Sequence, residues 1–449
     1  YAVASDPRNI TTMSPELTIN MSSYTIPLGD FFKKTCKWYG VGMSPKNIIR
    51  RIRELARRAI GLGSVLTDYG RFDGTCSLFL QTQVTLAIAL AWLGENYRAD
   101  YKSQHKQVFK KNAVTANGVS YDAGDGTRSG SPLTSFNTLK NGFNCYCALR
   151  NMGYSPEEAY ERLGIYTGDD GDTPNYDGKF GEALEQVAKD IGQKLESVYV
   201  LDNEPLHYCG RYFVNPLLSD ESFQDPIRTL GKLHLSGNKG MTRDQAAANR
   251  AHGYMSTDSL TPIIGTYCRR VLDIVGGLKF KNGTHEEIHK CSNSWPQHDR
   301  SEILEGVAKV MGYSVTEVIA MDKQIHSATS LDQFPVILDT IAKAKTLAVV
   351  DGEVVGIGLH TETPIQPQAP SSNNERQSTS SNRVMEPRGP TLSNRCEHVL
   401  GEHKRRTYAE ATKPRERGGD RPATPGPGRR RAQSRPRASR RDADARSKR

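Results

Sequence analysis

Ile165-Tyr166-Thr167-Gly168-Asp169-Asp170-Gly171 is a short apolar run that breaks into a tight acidic turn with a glycine on either side. A β-type run ending in glycine-bounded turn residues predicts a hairpin with Asp169 and Asp170 at its tip. An Asp-Asp pair in a turn says little alone, because turns favour Asp for backbone reasons. It gains meaning if a third carboxylate reaches it. About a hundred residues upstream, Ser64–Thr67 reads as a strand that delivers Asp68. Strand ends and hairpin tips from distant sequence can converge. Three hard oxygen donors at one place suit Mg²⁺ and the phosphates it accompanies.

The segments around these positions read as alternating helices and strands. Ser44 and Pro45 open a helix over 44–60 whose Ile48, Ile49, Ile52, Leu55, Ala56 and Ala59 form an apolar stripe. Arg50, Arg51, Arg53, Arg57 and Arg58 fill its other faces, either as a solvated surface or as phosphate contacts. An apolar helix follows over 76–92, a Lys-rich surface segment over 95–120, a glycine-rich loop over 124–130 and a helix over 132–152. A helix over 178–191 precedes strands at 194–201 and 206–214. Helices dominate from 225 to 345, one opened by the Ser314-x-x-Glu317 capping box, and Val349–Val355 reads as a last hairpin.

Thr67-Asp68-Tyr69-Gly70-Arg71-Phe72-Asp73, with its D-x4-D spacing, resembles motif A of positive-strand RNA virus polymerases. Ser129-Gly130-Ser131-Pro132-Leu133-Thr134-Ser135-Phe136-Asn137 resembles motif B, although only two residues separate Thr134 from Asn137 where the family pattern has three. Gly168-Asp169-Asp170 resembles the G-D-D of motif C, and Leu206–Val214, with Cys209-Gly210-Arg211-Tyr212, the primer-grip hairpin of motif E. The flanking Asp6-Pro7-Arg8-Asn9-Ile10, Trp38-Tyr39-Gly40 and Gly231-Lys232-Leu233-His234 are most similar to nodavirus replicases.

The resemblance implies an α+β right-hand fold with an antiparallel palm sheet. Its partition is a partial fingers region over 1–63, a palm over 64–215 with a fingers insertion near 95–120, a mostly helical thumb over 216–358 and a disordered basic tail over 359–449. It implies RNA-templated synthesis from ribonucleoside triphosphates with two Mg²⁺ or Mn²⁺ ions on Asp68, Asp169 and Asp170. Asp73, Ser129, Thr134 and Asn137 would sense the ribose 2′-hydroxyl. Gly130 would let the loop approach the template. Arg8 would meet the triphosphate, and Lys194, with Lys189 behind it, would protonate the leaving pyrophosphate. RNA template, nascent RNA and nucleotides are the implied partners, with other replicase copies or upstream replicase domains. Tyr1 in place of Met suggests a fragment that begins inside the basic motif F. The implied setting is a membrane-associated replication complex in the host cytoplasm, anchored by sequence upstream of this chain.

Composition suits a globular protein carrying a polar segment. Residues 371–449 hold 21 Lys+Arg against 9 Asp+Glu, a surplus of +12, so the whole net charge of +10 lies there. The rest is near neutral, and any RNA groove in it arises by local clustering. The tail, with Arg429-Arg430-Arg431, is too poor in apolar residues to offset its ordering entropy, and it either contacts RNA or stays solvated. Eight cysteines without a C-x-x-C pair favour a reducing compartment, and Cys145 and Cys147 read as core.

Three other readings have their own signals. A reverse transcriptase would share the Asp-Asp hairpin but not the Ser129-Gly130…Thr134…Asn137 set. A non-catalytic RNA-binding remnant would bind RNA without metal-dependent extension. His285-Glu286-Glu287-Ile288-His289 matches the zinc-protease H-E-x-x-H, with no third ligand evident.

Overall fold

The computed structural model describes residues 10–115, 117–234, 240–335, 347–350 and 353–356. Arg8 and the tail from residue 357 lie outside the described residues.

Helix α1, Pro15–Thr35, opens the fold, with Ser14 accepting from the Leu17 N–H and Pro15 in the first turn. It has no counterpart in the pattern reading: Pro27 sits inside it, and its buried set is the discontinuous Met21, Thr25, Leu28, Gly29 and Phe32. Helix α2, Pro45–Arg58, begins at the Ser44 cap as expected. Arg50 and Arg57 are exposed, as a solvated face would have them, but three of its arginines are engaged within the fold. Arg51 is buried and donates to the carbonyls of Leu163 and Gly164 at 2.7 and 3.0 Å. Arg53 pairs with Asp220, and Arg58 with Glu54 and the Glu161 carbonyl.

Strand β1, Ser64–Tyr69, is followed by the short α3, Phe72–Thr75. The expected apolar helix is present but widened, with a π-helical stretch at Leu80–Leu86 running into α4, Ala87–Trp92. Helix α5, Glu95–Val108, corrects the reading of 95–120 as a surface segment: Tyr101, His105 and Val108 are buried, and Tyr101 and Val108 join the α1 core. The small β2–β3 hairpin, Asn112–Val114 with Ser120–Asp122, leads to the glycine-rich loop. A 3₁₀ turn at Thr134–Phe136 then enters α6, Asn137–Asn151. Next come α7 (Pro156–Glu161), β4 (Ile165–Thr167), β5 (Asp170–Pro174), α8 (Phe180–Asp190) and β6 (Leu195–Val200).

The main sheet has the order β4-β5-β1-β6, and every pair is antiparallel. On one face, Ile49, Ile52 and Leu55 of α2 meet Leu66, Ile165 and Val200. Each fully buried aliphatic side chain there contributes about 1.5–3 kcal/mol. The other face lies under α6 and α8, where Asn144 donates to the Tyr69 hydroxyl at 3.0 Å. Successive residues of β1 point to opposite faces, so Leu66 serves α2 while Thr67 and Tyr69 serve α6. This is the antiparallel palm sheet that the motifs imply.

Strands β7 (Leu206–Tyr208), β8 (Arg211–Phe213) and β9 (Ser222–Gln224) form a second sheet, whose third strand the sequence reading lacked. The following helices are α9 (Pro226–Leu230), α10 (Arg243–Asp258), α11 (Ile264–Ile274), α12 (His285–Ser292), α13 (Arg300–Met311) and α14 (Val315–Ser327). They pack in two clusters, one around Phe223, Ile303 and Val307 and one around Tyr254, Ile264 and Val271. The Ser314/Glu317 capping box is present. Strands β10 (Leu347–Val350) and β11 (Glu353–Gly356) pair as the expected last hairpin. No helix among the described residues is long and apolar enough to cross a membrane.

Candidate active site

The β4–β5 hairpin closes with Thr167 opposite Asp170, leaving Gly168 and Asp169 as its two turn residues. Gly168 has φ +66°, a conformation that costs a side-chain-bearing residue free energy and glycine little. The tip is tied down from three sides. Thr67 Oγ1 donates to the Asp169 carbonyl at 2.5 Å, Asn141 Nδ2 donates to the same oxygen at 2.9 Å, and the Gly168 N–H donates to Thr138 Oγ1 at 2.9 Å. Asp68, near the end of β1, lies on the neighbouring strand and is exposed, as is Asp169.

Asp170 records the convergence of the three carboxylates. Its carboxyl is pushed up to about 6, first by burial and then by the charges of Asp169 and, more weakly, Asp68, with Cys209 and Arg228 opposing. Like charges held together favour protonation or a bound cation. Oxygen donors crowded in this way fit Mg²⁺ or Mn²⁺. Among the described residues no group of three His, Cys, Asp or Glu side chains is placed so as to hold a metal ion by itself. Mg²⁺ usually takes one or two carboxylates and completes its shell with water and substrate phosphates, so an open set is compatible with it.

Motif B meets motif A at Asp73. Ser129 Oγ donates to Asp73 Oδ2, and Asn137 Nδ2 donates to Asp73 Oδ1 at 2.5 Å. The shortened spacing before Asn137 therefore leaves its side chain in the network. Thr134 does not join it: its hydroxyl hydrogen-bonds the carbonyls of Arg128, Ser129 and Ser131 at 2.9–3.1 Å, bracing the loop from within. Gly130 packs against backbone: a Cβ there would lie 2.7 Å from the Thr11 carbonyl oxygen, to which its N–H donates at 3.1 Å. The observed close approach is thus to residues 11–12. Lys194 is exposed beside motif A, and its carbonyl accepts from the Gly70 N–H at 2.9 Å.

The sequence reading missed Lys140, Asn141 and Thr127. Lys140 is 1% exposed and donates to Thr127 Oγ1 at 2.8 Å and Asn137 Oδ1 at 2.9 Å. A signal existed: Asn137, Lys140, Asn141 and Asn144 fall at helical spacing on one face of α6, a polar stripe in a helix buried nearly all round.

The H-E-x-x-H segment is α12 itself. Glu287 completes a capping box with Thr284, and Glu286 pairs with Lys290 at 3.1 Å, so the acidic residues serve the helix. Cys145 and Cys147 are buried, as expected of core residues.

No family model matches the chain. It is 44% identical over 369 residues to the RNA-directed RNA polymerase of Pariacoto virus, a match covering 81% of this chain and 37% of that protein. The Pieris rapae virus RNA-directed RNA polymerase is 42% identical over 373 residues, covering 83% and 37%. That of Striped jack nervous necrosis virus is 30% identical over 369 residues, covering 79% and 37%. The crystal structure of the RNA-dependent RNA polymerase of a human picobirnavirus has 15% identity and a TM-score of 0.48, covering 68% of this chain and 60% of that one. The chain is thus similar over about four fifths of its length to RNA-directed RNA polymerases of nodaviruses, and it spans about 37% of the length of the curated relatives it matches.

Proposed function

We propose that this chain carries the catalytic centre for RNA-templated RNA synthesis from ribonucleoside triphosphates. The observation that carries the reading is the pairing of two carboxylate sites: Asp68, Asp169 and Asp170 around the end of β1 and the β4–β5 hairpin, and Asp73 of α3, just after β1, held by Ser129 and Asn137. Asp68, Asp169 and Asp170 supply the oxygens for divalent cations. Those cations, when bound, activate the primer 3′-hydroxyl and neutralise the triphosphate. Asp73 and Asn137 present acceptor and donor to the ribose, where the 2′-hydroxyl separates RNA from DNA precursors. Thr134 and Gly130 hold the loop that carries Ser129. Lys194, exposed next to motif A, would protonate the leaving pyrophosphate, and Arg8 would meet the triphosphate. In this reading residues 1–63 are fingers, 64–215 palm and 216–358 thumb, and RNA template and nascent strand are the partners.

The test is extension of a hairpin RNA by the purified chain with Mg²⁺ or Mn²⁺ and either NTPs or dNTPs, beside Asp169→Asn. Extension with NTPs that Asp169→Asn abolishes supports the reading. Preference for dNTPs indicates a reverse transcriptase. Binding of the hairpin without extension indicates a non-catalytic remnant.

A further inference from the structure

Lys140 is the most deeply buried lysine of the described chain, and nothing in the roles above uses it. Its ammonium group lies inside α6, one turn from Asn137. An ammonium donates hydrogen bonds and accepts none. At 2.9 Å from Asn137 Oδ1, it fixes which end of that amide is oxygen. Thr127 Oγ1, also a donor to Asn137 Oδ1 at 2.9 Å, reinforces the choice, and Gln81 Nε2 approaches Thr127 Oγ1 at 3.3 Å. With its oxygen so engaged, the Asn137 side chain must turn its NH₂ to Asp73, which it meets at 2.5 Å. The Asp73 oxygens are then occupied one each, by Ser129 and Asn137, which sets the direction of the remaining lone pairs.

We infer that Lys140 is a positioning residue for ribose selection, acting through the amide of Asn137 to aim Asp73 at the sugar. The inference rests on the polymerase reading. Without the ammonium group, Asn137 Oδ1 keeps only the Thr127 hydroxyl, and the amide is held less firmly in the plane in which its NH₂ meets Asp73. The sugar-sensing acceptor would then swing free while the Asp68–Asp169–Asp170 site keeps its own anchors.

The experiment compares NTP and dNTP incorporation by the full chain and by Lys140→Met, Lys140→Arg, Asn137→Ala and Lys140→Met/Asn137→Ala. Lys140→Met, which keeps length and loses the donor, is expected to lower the NTP/dNTP ratio by about tenfold or more, the size of one charge-assisted hydrogen bond. Lys140→Arg restores a donor and should retain most of the ratio if it folds. A purely structural lysine would reduce both rates alike and leave the ratio unmoved. In the Asn137→Ala background Lys140→Met should cost no further discrimination. An unchanged ratio in Lys140→Met, or losses that add in the double variant, overturns the inference and leaves the polymerase reading intact. Absence of NTP extension by the unaltered, RNA-binding chain overturns that reading, and this inference with it.

Discussion

Asn141 of α6 reaches across to the hairpin tip and donates to the Asp169 carbonyl oxygen at 2.9 Å, sharing it with Thr67 Oγ1 of β1. The orientation of the Asp169 side chain is thus set through its backbone, by a buried amide on a helix and a hydroxyl on the neighbouring strand. Both donors sit on regular elements, which hold a geometry better than a loop does.

Asn141→Ala removes one donor and leaves a void beside Tyr69, whose hydroxyl lies 3.4 Å from Asn141 Oδ1. The expected stability loss is about 1–3 kcal/mol, the usual result of unmaking a buried hydrogen bond. Single-nucleotide addition should slow by at least about tenfold with little change in nucleotide KM, because the carboxylate is misplaced and the sugar site is not. Thermal unfolding and rapid-quench kinetics read the two effects. A lowered Tm with an unchanged rate would show that Thr67 alone holds the tip.

The crowding of Asp170 has a consequence for pH. Its carboxyl titrates near 6, above the ordinary range, through burial and the neighbouring Asp169 and Asp68 charges. Below that pH the group carries a proton and competes poorly for a cation. Activity at fixed Mg²⁺ should fall as pH drops through about 6. Raising the metal concentration should move that limb to lower pH, since metal and proton compete for the same oxygens. A limb indifferent to metal concentration would place the titration elsewhere.

Asp172, two residues on, is a different case. It is completely buried on β5 between β1 and β4, and no hydrogen bond of good geometry reaches either carboxylate oxygen, Ser64 being the nearest donor. Burial raises its titration to about 7, with Ser64 and Arg51 opposing. The folded state therefore holds a proton that the unfolded chain releases near 4, so stability falls as pH rises from about 4 to 7 and stays low above it. Asp172→Asn removes the charge and should raise Tm clearly at pH 8 and little at pH 5. Equal shifts at both pH values would mean that the charge is not the cause.

Much of this was legible from residue order. The strand that carries Asp68, the Asp169-Asp170 hairpin and the Ser44 and Ser314 helix starts were all readable, because each has a local cause in alternation, turn chemistry or capping. Helix α1 was not, since an internal proline and mixed apolar spacing hide it and its stability comes from Tyr101, Phe136 and Leu139 far away in sequence. The site divided in the same way. Asp73, Ser129 and Asn137 came from the resemblance to motifs A and B, although the spacing before Asn137 is one residue short, whereas Lys140 acts by donating to a partner whose orientation only the fold defines. Among the α2 arginines Arg51 departed from expectation, because composition cannot distinguish an arginine facing solvent from one that satisfies buried carbonyls.

Arg211 extends that lesson to the β7–β8 hairpin. It is 3% exposed. Its Nε donates to Ser222 Oγ, and its Nη2 to the carbonyls of Ser222 and Thr257, each at 2.9 Å, while Nη1 lies 3.3 Å from Asp258 Oδ2. Its guanidinium also stacks 4.4 Å from the centre of the Trp295 ring. Arg211→Met should cost about 3–5 kcal/mol, because it strands Asp258 as a buried unpaired charge. Arg211→Lys should cost nearly as much, since an ammonium cannot reproduce the planar fork that meets Ser222, Thr257 and Asp258 together. Adding Asp258→Leu to Arg211→Met should recover only part of the loss. Asp258 also accepts the Gln224 N–H at 2.8 Å and the Thr261 hydroxyl at 3.1 Å, so its removal leaves those donors without a partner. Denaturant unfolding of the variants checks the order. Should Arg211→Met keep its stability and instead weaken the salt dependence of RNA binding, the residue would be a phosphate contact and the tie between β8 and α10 incidental.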